Sequence, residues 1–207
     1  MEHTKQLVEA GKPLVQAKKA LIMLHGRGAS AEDILSLRSY LPVDDFYVVA
    51  PQATNCTWYP YSFLAPPAQN EPWLSSALQL VAGIVTAIEK TGIASSHIYL
   101  LGFSQGACLT LEFATRHARA WGGVMALTGG LIGDKLYTEN YAGDFAGSRV
   151  LMTNSPNDPH VPLLRSEQSK NQLEAMGAKV DLQIYPGRPH TILQEELQKV
   201  AQRMSSR

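Results

Sequence analysis

A serine between two glycines is the first residue whose surroundings point to chemistry. The segment Gly102-Phe103-Ser104-Gln105-Gly106 has the pattern Gly-x-Ser-x-Gly, between an apolar run at 97–101 and a segment of helical period. In this pattern a strand turns sharply into a helix, and glycines are needed because side chains would collide with neighbouring backbone. A serine hydroxyl is a weak nucleophile by itself. The pattern therefore predicts that a base and an acid lie elsewhere in the chain.

An aspartate and a histidine follow in the expected order. Asp158 comes just after the apolar run at 150–153, and His190 comes just after the run at 180–185. Hydrolases with this serine motif carry serine, acid and histidine in that chain order, on loops after strands. Both positions lie at the carboxyl ends of predicted strands, where open sheets hold their ligands. We predict that Ser104, Asp158 and His190 act as nucleophile, acid and base.

Other histidines and aspartates fit these roles less well. His25 ends the first predicted strand and is better placed to shape a loop, while His160 is better placed to line a rim. The remaining candidates are set aside because none of them directly follows a predicted strand: His3, His97, His117, Asp134, Asp144 and Asp181.

Acyl transfer also needs hydrogen-bond donors for the oxygen that becomes negatively charged. One expected donor is the backbone N–H of Gln105, and the second belongs to the loop His25-Gly26-Arg27-Gly28 after the first strand. We predict that the N–H of Arg27 is the second donor, although a shift of one residue would give this role to Gly28. The same loop also fits a glycine turn before a helix capped by Ser30, and the two interpretations are compatible.

The segment 52–73 is long and rich in proline and aromatic residues. Long loops without secondary structure are uncommon in compact domains and are often functional, so we expect this loop to shape a pocket. Trp58 and Tyr59 from this loop, with Leu131 and Ile132, are expected to form apolar walls for an acyl or aryl group. His25 completes the expected substrate-binding residues.

Six short apolar runs alternate with segments of helical period and must position these residues. The runs lie at 20–24, 46–50, 98–101, 123–127, 150–153 and 180–185, and the helical segments at 74–90, 105–117, 163–176 and 194–204. Runs that are apolar on both faces are typical of parallel strands covered on both sides. The alternation predicts an α/β fold, a compact and mostly parallel sheet with helices on both faces. We expect a single domain over 1–207, with an N-terminal extension at 1–18.

Composition argues against several classes of partner. The 207 residues are 45% apolar and 17% charged, with a formal net charge of zero, so no strong field attracts nucleic acid. No apolar run approaches the roughly 20 residues that span a bilayer, so no stable membrane insertion is expected. No secretory signal is visible, and two cysteines are too few for a disulfide framework, so we expect a cytoplasmic protein.

No spacing in the chain predicts a metal or a cofactor. His25 and His160 lack a clear third ligand, whereas catalytic zinc takes three protein ligands. The glycines at 26 and 28 lack the rest of a dinucleotide-binding fingerprint. We therefore expect no metal and no cofactor.

Five motifs together resemble the phospholipase/carboxylesterase family of α/β-hydrolases. They lie at 25–28, 58–59, 102–106, 158–162 and 186–192, and the resemblance runs from about Ala20 to the C-terminus. The family includes carboxylesterases, lysophospholipases and acyl-protein thioesterases. The resemblance implies a cofactor-free serine esterase with no separate cap domain. It carries the triad to Ser104, Asp158 and His190, and the oxyanion donors to Arg27 and Gln105.

The sequence departs from this family at two positions. Arg27 stands where an apolar residue is usual in thioesterase members, which bears on long-chain acyl specificity. Ala107 stands where a second glycine often follows the serine motif, which bears on helix packing. The chain is also similar to dienelactone hydrolases, but those use a cysteine where this chain has Ser104.

The sequence thus predicts hydrolysis of a carboxylic ester or thioester through an acyl-serine intermediate. We expect a small-molecule ester with a short or medium acyl or an aryl group, because the sequence offers no substantial apolar lid. The alternatives are a lysophospholipase or acyl-protein thioesterase, a lactone or carbon–carbon hydrolase, and a non-catalytic ligand-binding protein on this fold. The oligomeric state is left open, with a homodimer among the alternatives.

Overall fold

Seven strands form one sheet in the computed structural model, which describes residues 2–205. In chain order they are β1 (Leu7–Gly11), β2 (Lys19–Leu24), β3 (Phe46–Pro51), β4 (Ile98–Phe103), β5 (Gly123–Leu127), β6 (Arg149–Asn154) and β7 (Lys179–Ile184). Their order across the sheet is β1-β3-β2-β4-β5-β6-β7. All neighbours are parallel except β1 and β3, which are antiparallel. The predicted mostly parallel α/β sheet is confirmed.

Five α-helices in the described part of the chain cover the two faces of this sheet. They are α1 (Ala31–Ser36), α2 (Trp73–Glu89), α3 (Gln105–Arg116), α4 (Leu163–Ala175) and α5 (Gln194–Ser205). Residues of α2, α3 and α4 pack on one face, with alternate strand residues such as Ile22. Residues of α1 and α5 pack on the other face, with the intervening residues such as Leu21. None of the helices within residues 2–205 is long and apolar enough to cross a membrane.

The N-terminal segment, which was expected to be an extension at 1–18, contains a strand of the sheet. Residues Leu7–Gly11 form an edge strand that pairs with β3 over its whole length, from Leu7 opposite Pro51 to Gly11 opposite Tyr47. Before it, the backbone N–H of His3 donates to Ser76 Oγ at 2.8 Å. The sequence did not predict this strand because it is short and half exposed, and its apolar pattern is therefore weak.

The strand order reverses direction between β2 and β4. The chain passes from β2 outward to β3, and then returns to place β4 on the other side of β2. In open α/β sheets, ligands bind in the crevice that forms at the carboxyl ends of strands where the order reverses. His25 follows β2 here and Ser104 follows β4, while Asp158 and His190 follow β6 and β7 at the same edge. The topology therefore brings the predicted site residues to one edge of the sheet.

Candidate active site

Ser104 lies in a strained turn between β4 and α3. Its backbone has φ of 54° and ψ of −118°, in the region that L-residues rarely adopt. The turn is tight: a Cβ on Gly102 would lie 2.3 Å from the carbonyl oxygen of Gly106, and a Cβ on Gly106 would lie 2.1 Å from that of Leu24. Both flanking glycines are therefore required by the close approach of helix and strands.

His190 connects Ser104 to Asp158. Its Nε2 lies 2.8 Å from Ser104 Oγ, and its Nδ1 lies 2.8 Å from Asp158 Oδ2. A carboxylate accepts, so the imidazole donates through Nδ1–H and its Nε2 accepts the Ser104 hydroxyl. His190 is thus within hydrogen-bond distance of both other side chains, each of which was predicted from a separate loop. This arrangement suits transfer of the serine proton to the histidine.

Asp158 is held as a carboxylate. Its side chain is fully buried, and its second oxygen, Oδ1, accepts the backbone N–H groups of His160 at 3.0 Å and Val161 at 2.9 Å. Burial raises the pKa of Asp158, but the hydrogen bonds from His190, His160 and Val161 outweigh it, and the pKa lies below its usual value. The negative charge therefore stays beside His190 near neutral pH.

Two backbone N–H groups near Ser104 point to an oxyanion site. Gln105 is the first residue of α3, so its N–H has no partner within the helix. The N–H of Gly28 donates to the carbonyl of Cys56 at 2.7 Å, which removes Gly28 as the alternative donor. Within residues 2–205, no acceptor pairs with the N–H of Arg27. A Cβ on Gly26 would lie 3.5 Å from Ser104 Cβ, so this loop adjoins Ser104.

His25 supports this loop and, in contrast to the expected substrate-binding role, does not line the cleft beside Ser104. It is fully buried, and its Nδ1–H donates to the Gly26 carbonyl at 2.7 Å. Its Nε2 accepts the N–H of Ala53 at 3.1 Å, which defines the tautomer. Burial lowers the pKa of His25, so the ring is neutral. Because the Gly26 carbonyl and the Arg27 N–H belong to one planar peptide unit, the imidazole also fixes the direction of that N–H.

The expected apolar walls at Trp58, Leu131 and Ile132 are corrected by the structure. All three side chains are fully buried, and none of them lines the cleft beside Ser104 and His190. The indole Nε1 of Trp58 donates to the carbonyl of His25 at 2.8 Å, so this ring packs against the loop that follows β2. Aromatic and aliphatic residues in loops have no periodic pattern, and the sequence did not show which of them face inward.

A cleft of about 500 Å³ opens beside Ser104 and His190. Five of its lining residues come from the loop at 52–73, and they are Tyr59, Pro60, Tyr61, Ser62 and Phe63. His160 and Val161, which follow Asp158, also line it. This loop therefore contributes to the cleft, and of its two expected wall residues Tyr59 lines the cleft whereas Trp58 does not.

The side chain of Arg27 holds the wall of this cleft, a role that the sequence did not predict. Its guanidinium donates to the carbonyls of three consecutive residues, Tyr59 at 2.9 Å, Pro60 at 2.9 Å and Tyr61 at 2.7 Å. No local pattern predicts such a contact, because the carbonyls lie more than thirty residues away in the chain.

Asn70 and Gln105 hold the same wall. Asn70 is fully buried, accepts the N–H of Tyr61 at 2.8 Å and donates to the carbonyl of Ser62 at 3.0 Å. The Gln105 side chain accepts the N–H of Trp58 at 2.9 Å and donates to the carbonyl of Tyr59 at 2.8 Å. The wall is therefore connected both to the loop at 25–28, through Arg27, and to α3, through Gln105.

Within residues 2–205, no group of three or more histidine, cysteine or acidic side chains could hold a metal ion.

Comparisons with known proteins agree with this architecture. A family model described as phospholipase/carboxylesterase matches residues 5–206. The crystal structure of a phospholipase/carboxylesterase from Dyadobacter fermentans is 51% identical, with a TM-score of 0.97, and covers 100% of this chain and 99% of that chain. A probable carboxylesterase SOBER1-like protein of Arabidopsis thaliana is 24% identical over 199 residues, which is 88% of this chain and 76% of that protein. Acyl-protein thioesterase 1 of Kluyveromyces lactis is 26% identical over 209 residues, with 91% and 92% covered.

Proposed function

The chain belongs to the phospholipase/carboxylesterase family of α/β-hydrolases, serine hydrolases that cleave ester or thioester bonds, and we propose that it works through an acyl enzyme on Ser104. The observation that carries this proposal is the continuous hydrogen-bonded chain from Asp158 through His190 to Ser104. In the first half-reaction His190 Nε2 takes the proton of Ser104 as Oγ bonds to the acyl carbon. The carbonyl oxygen gains a negative charge, which the N–H groups of Arg27 and Gln105 stabilise.

Collapse of this first tetrahedral intermediate breaks the bond to the leaving group. The proton on His190 passes to the leaving oxygen or sulfur, and an alcohol or thiol departs while the acyl group stays on Ser104. Water then bonds to the acyl carbon as His190 takes one of its protons. The bond to Ser104 Oγ breaks, His190 returns the proton to Oγ, and the carboxylic acid leaves. Asp158 keeps the imidazole in the required tautomer and stabilises its positive charge in both halves.

The cleft supports a substrate with a short or medium acyl or an aryl group. Its volume of about 500 Å³ lies in the ordinary range for small-ligand sites, roughly 300–1,000 Å³. Tyr59 and Phe63 are buried aromatic residues in its wall, and Tyr61 is exposed at its rim. Arg27 and Asn70 hold this wall in place, which argues against widening of the cleft for a long acyl chain.

The free Cys56 and Cys108 suit a reducing compartment, which supports a cytoplasmic location.

Hydrolysis of p-nitrophenyl acetate, butyrate, octanoate and palmitate tests this function. We expect the wild type to prefer acetate, butyrate or octanoate, and Ser104→Ala to lose at least about 10³-fold in kcat. Ser62→Ala is the matched control, because Ser62 lines the same cleft and its hydroxyl accepts the N–H of Leu64. It should keep activity and labelling by a fluorophosphonate probe. A Ser104→Ala protein as active as the wild type would show that another group is the nucleophile.

Thioester hydrolysis is the second candidate, favoured by the curated relative that is named an acyl-protein thioesterase. The same residues serve both reactions, because only the leaving atom differs. Butyryl and octanoyl thioesters compared with the matching oxygen esters would rank the two. A kcat/KM for the thioesters well above that for the esters would favour the thioesterase.

A further inference from the structure

A buried ion pair that the mechanism above does not use lies beside the loop that carries His190. Arg188 is 5% exposed and Glu196, on α5, is fully buried. Arg188 Nη1 lies 2.6 Å from Glu196 Oε1. Arg188 is two residues from His190 in the chain, so the pair fixes the base of the loop that presents the imidazole.

The same two side chains bind three further groups. Arg188 Nη2 donates to Thr128 Oγ1 at 2.5 Å, and Thr153 Oγ1 donates to Glu196 Oε1 at 2.5 Å. The N–H of Leu193 donates to Glu196 Oε2 at 2.8 Å. The pair therefore contacts the ends of β5 and β6 as well as the chain on both sides of His190.

Each of these contacts connects the ion pair to a segment of the chain that carries or contacts one member of the triad. Thr128 directly follows Leu127, whose carbonyl accepts the backbone N–H of Ser104 at 3.0 Å. Thr153 lies in β6, the strand that ends four residues before Asp158. Thr128 has a φ of 61°, an unusual conformation for a β-branched residue, and its N–H donates to the carbonyl of Thr153 at 2.9 Å. One pair thus joins the strands of the nucleophile, the acid and the base.

Stability alone is a weak reason for such a pair. Burying two charges carries a large desolvation cost, and apolar residues of similar volume often replace a buried pair with no loss of stability. Unlike apolar residues, the ion pair fixes the relative orientation of the groups that it joins, because each of its hydrogen bonds requires a particular geometry.

We propose that Arg188 and Glu196 are positioning residues that hold the His190 imidazole in register with Ser104 and Asp158. They act through Thr128, Thr153 and the loop, and touch no reacting atom. The kinetic part of this inference rests on the proposed function. Displacing a catalytic group by about 1 Å can cost about 100-fold in rate.

The test compares the wild type with the double variant Arg188→Met/Glu196→Gln, in which no unpaired charge is buried. We expect its Tm to stay within a few degrees of the wild type. Its kcat should fall about 10- to 100-fold, with KM changed less than about threefold. Arg188→Lys keeps the charge and one contact, so its kcat should lie between the two.

Asp181→Asn is the matched control, because Arg203 of α5 pairs with Asp181 of β7 and this ion pair lies on the same helix as Glu196. It should leave kcat unchanged. A double variant with the kcat of the wild type would overturn the proposal. So would an Asp181→Asn protein that loses as much kcat, since the effect would then be general loosening of α5.

A second measurement does not depend on activity. The proton on His190 Nδ1, in its hydrogen bond to Asp158, should give a downfield resonance in the wild type and in Asp181→Asn. We expect it to be lost or broadened in the double variant, and an unchanged resonance there would overturn the proposal. If the wild type hydrolyses no ester or thioester, the proposed function fails, while this resonance still decides whether the pair holds the imidazole.

Discussion

His25 illustrates how a single buried side chain directs a backbone donor. The Ala53 N–H occupies its Nε2, so its proton is on Nδ1 and points to the Gly26 carbonyl. The next N–H in that peptide unit is the one on Arg27. A protonated imidazole would place a second N–H against that of Ala53. The geometry thus depends on His25 remaining neutral, as burial ensures by lowering its pKa.

This neutrality predicts a pH dependence of stability. The pKa of His25 is lower in the folded protein than its ordinary value of 6.5, so the unfolded state takes up the proton first as pH falls. The free energy of unfolding should therefore fall as pH drops below about 6.5, by at most about 1.4 kcal/mol per pH unit for this residue. Above pH 6.5 the contribution of His25 to the free energy of unfolding is fully present and no longer changes with pH.

Urea unfolding of the wild type and His25→Asn between pH 5 and pH 8 measures this effect. The variant should show a shallower slope below pH 6.5. Some slope should remain, because burial also lowers the pKa of His3 and His117. Equal slopes in the two proteins would mean that His25 is not buried in its neutral form.

At the scale of elements, the serine turn depends on how closely α3 approaches β2 and β4. Gly106 lies in the first turn of α3 and faces the backbone at the end of β2. The strained backbone of Ser104 results from this close approach, and α3 holds Ser104 at the end of a central strand. The helix and the two strands therefore act as one unit in presenting the serine.

Gly106→Ala tests this unit. Its Cβ would lie 2.1 Å from the carbonyl oxygen of Leu24, so α3 must shift, and we expect a loss of about 2–4 kcal/mol in the free energy of unfolding. Gly83→Ala is the matched control, because Gly83 lies inside α2 and a Cβ there meets nothing within 4 Å. That change should stabilise the protein by about 0.5–1 kcal/mol. Similar effects of both substitutions on chemical denaturation would contradict the packing argument.

At the scale of the whole molecule, the cleft wall is held from three directions. Arg27 binds it from the loop after β2 and Gln105 binds it from α3, while Asn70 binds it from the other end of the same loop at 52–73. The loop at 52–73 therefore joins distant parts of the chain around the cleft. We expect it to keep its position during turnover and not to open as a lid.

Asn70→Ala removes one of these contacts without touching the proposed catalytic groups. The Tyr61 N–H loses its acceptor, which costs roughly 1–3 kcal/mol and loosens the wall. We expect KM for p-nitrophenyl butyrate to rise several-fold, kcat to change less, and the Tyr61 amide to exchange faster with solvent. Asn171→Ala, an exposed position on α4, is the matched control. Unchanged KM and exchange in Asn70→Ala would show that the other contacts suffice.

The sequence by itself determined the fold class and most of the elements. All six of its predicted runs became strands close to the expected bounds, and the run at 180–185 became the edge strand β7 (Lys179–Ile184). The helix predicted at 105–117 spans Gln105–Arg116. These features can be predicted from short stretches of sequence, because the pattern of burial along an element and a turn flanked by glycines both depend on consecutive residues. Chain order then placed Ser104, Asp158 and His190 at the same edge of a parallel sheet.

Only the tertiary structure decided which loop residues face the cleft and which lie beneath it. Trp58 is buried whereas Tyr61 is exposed at the rim, and their types alone do not distinguish these roles. The edge strand β1 exists because β3 offers it a partner. Arg188 meets Thr128 across sixty residues of chain. Such contacts depend on how whole elements pack, and irregular segments carry no period from which their direction can be read.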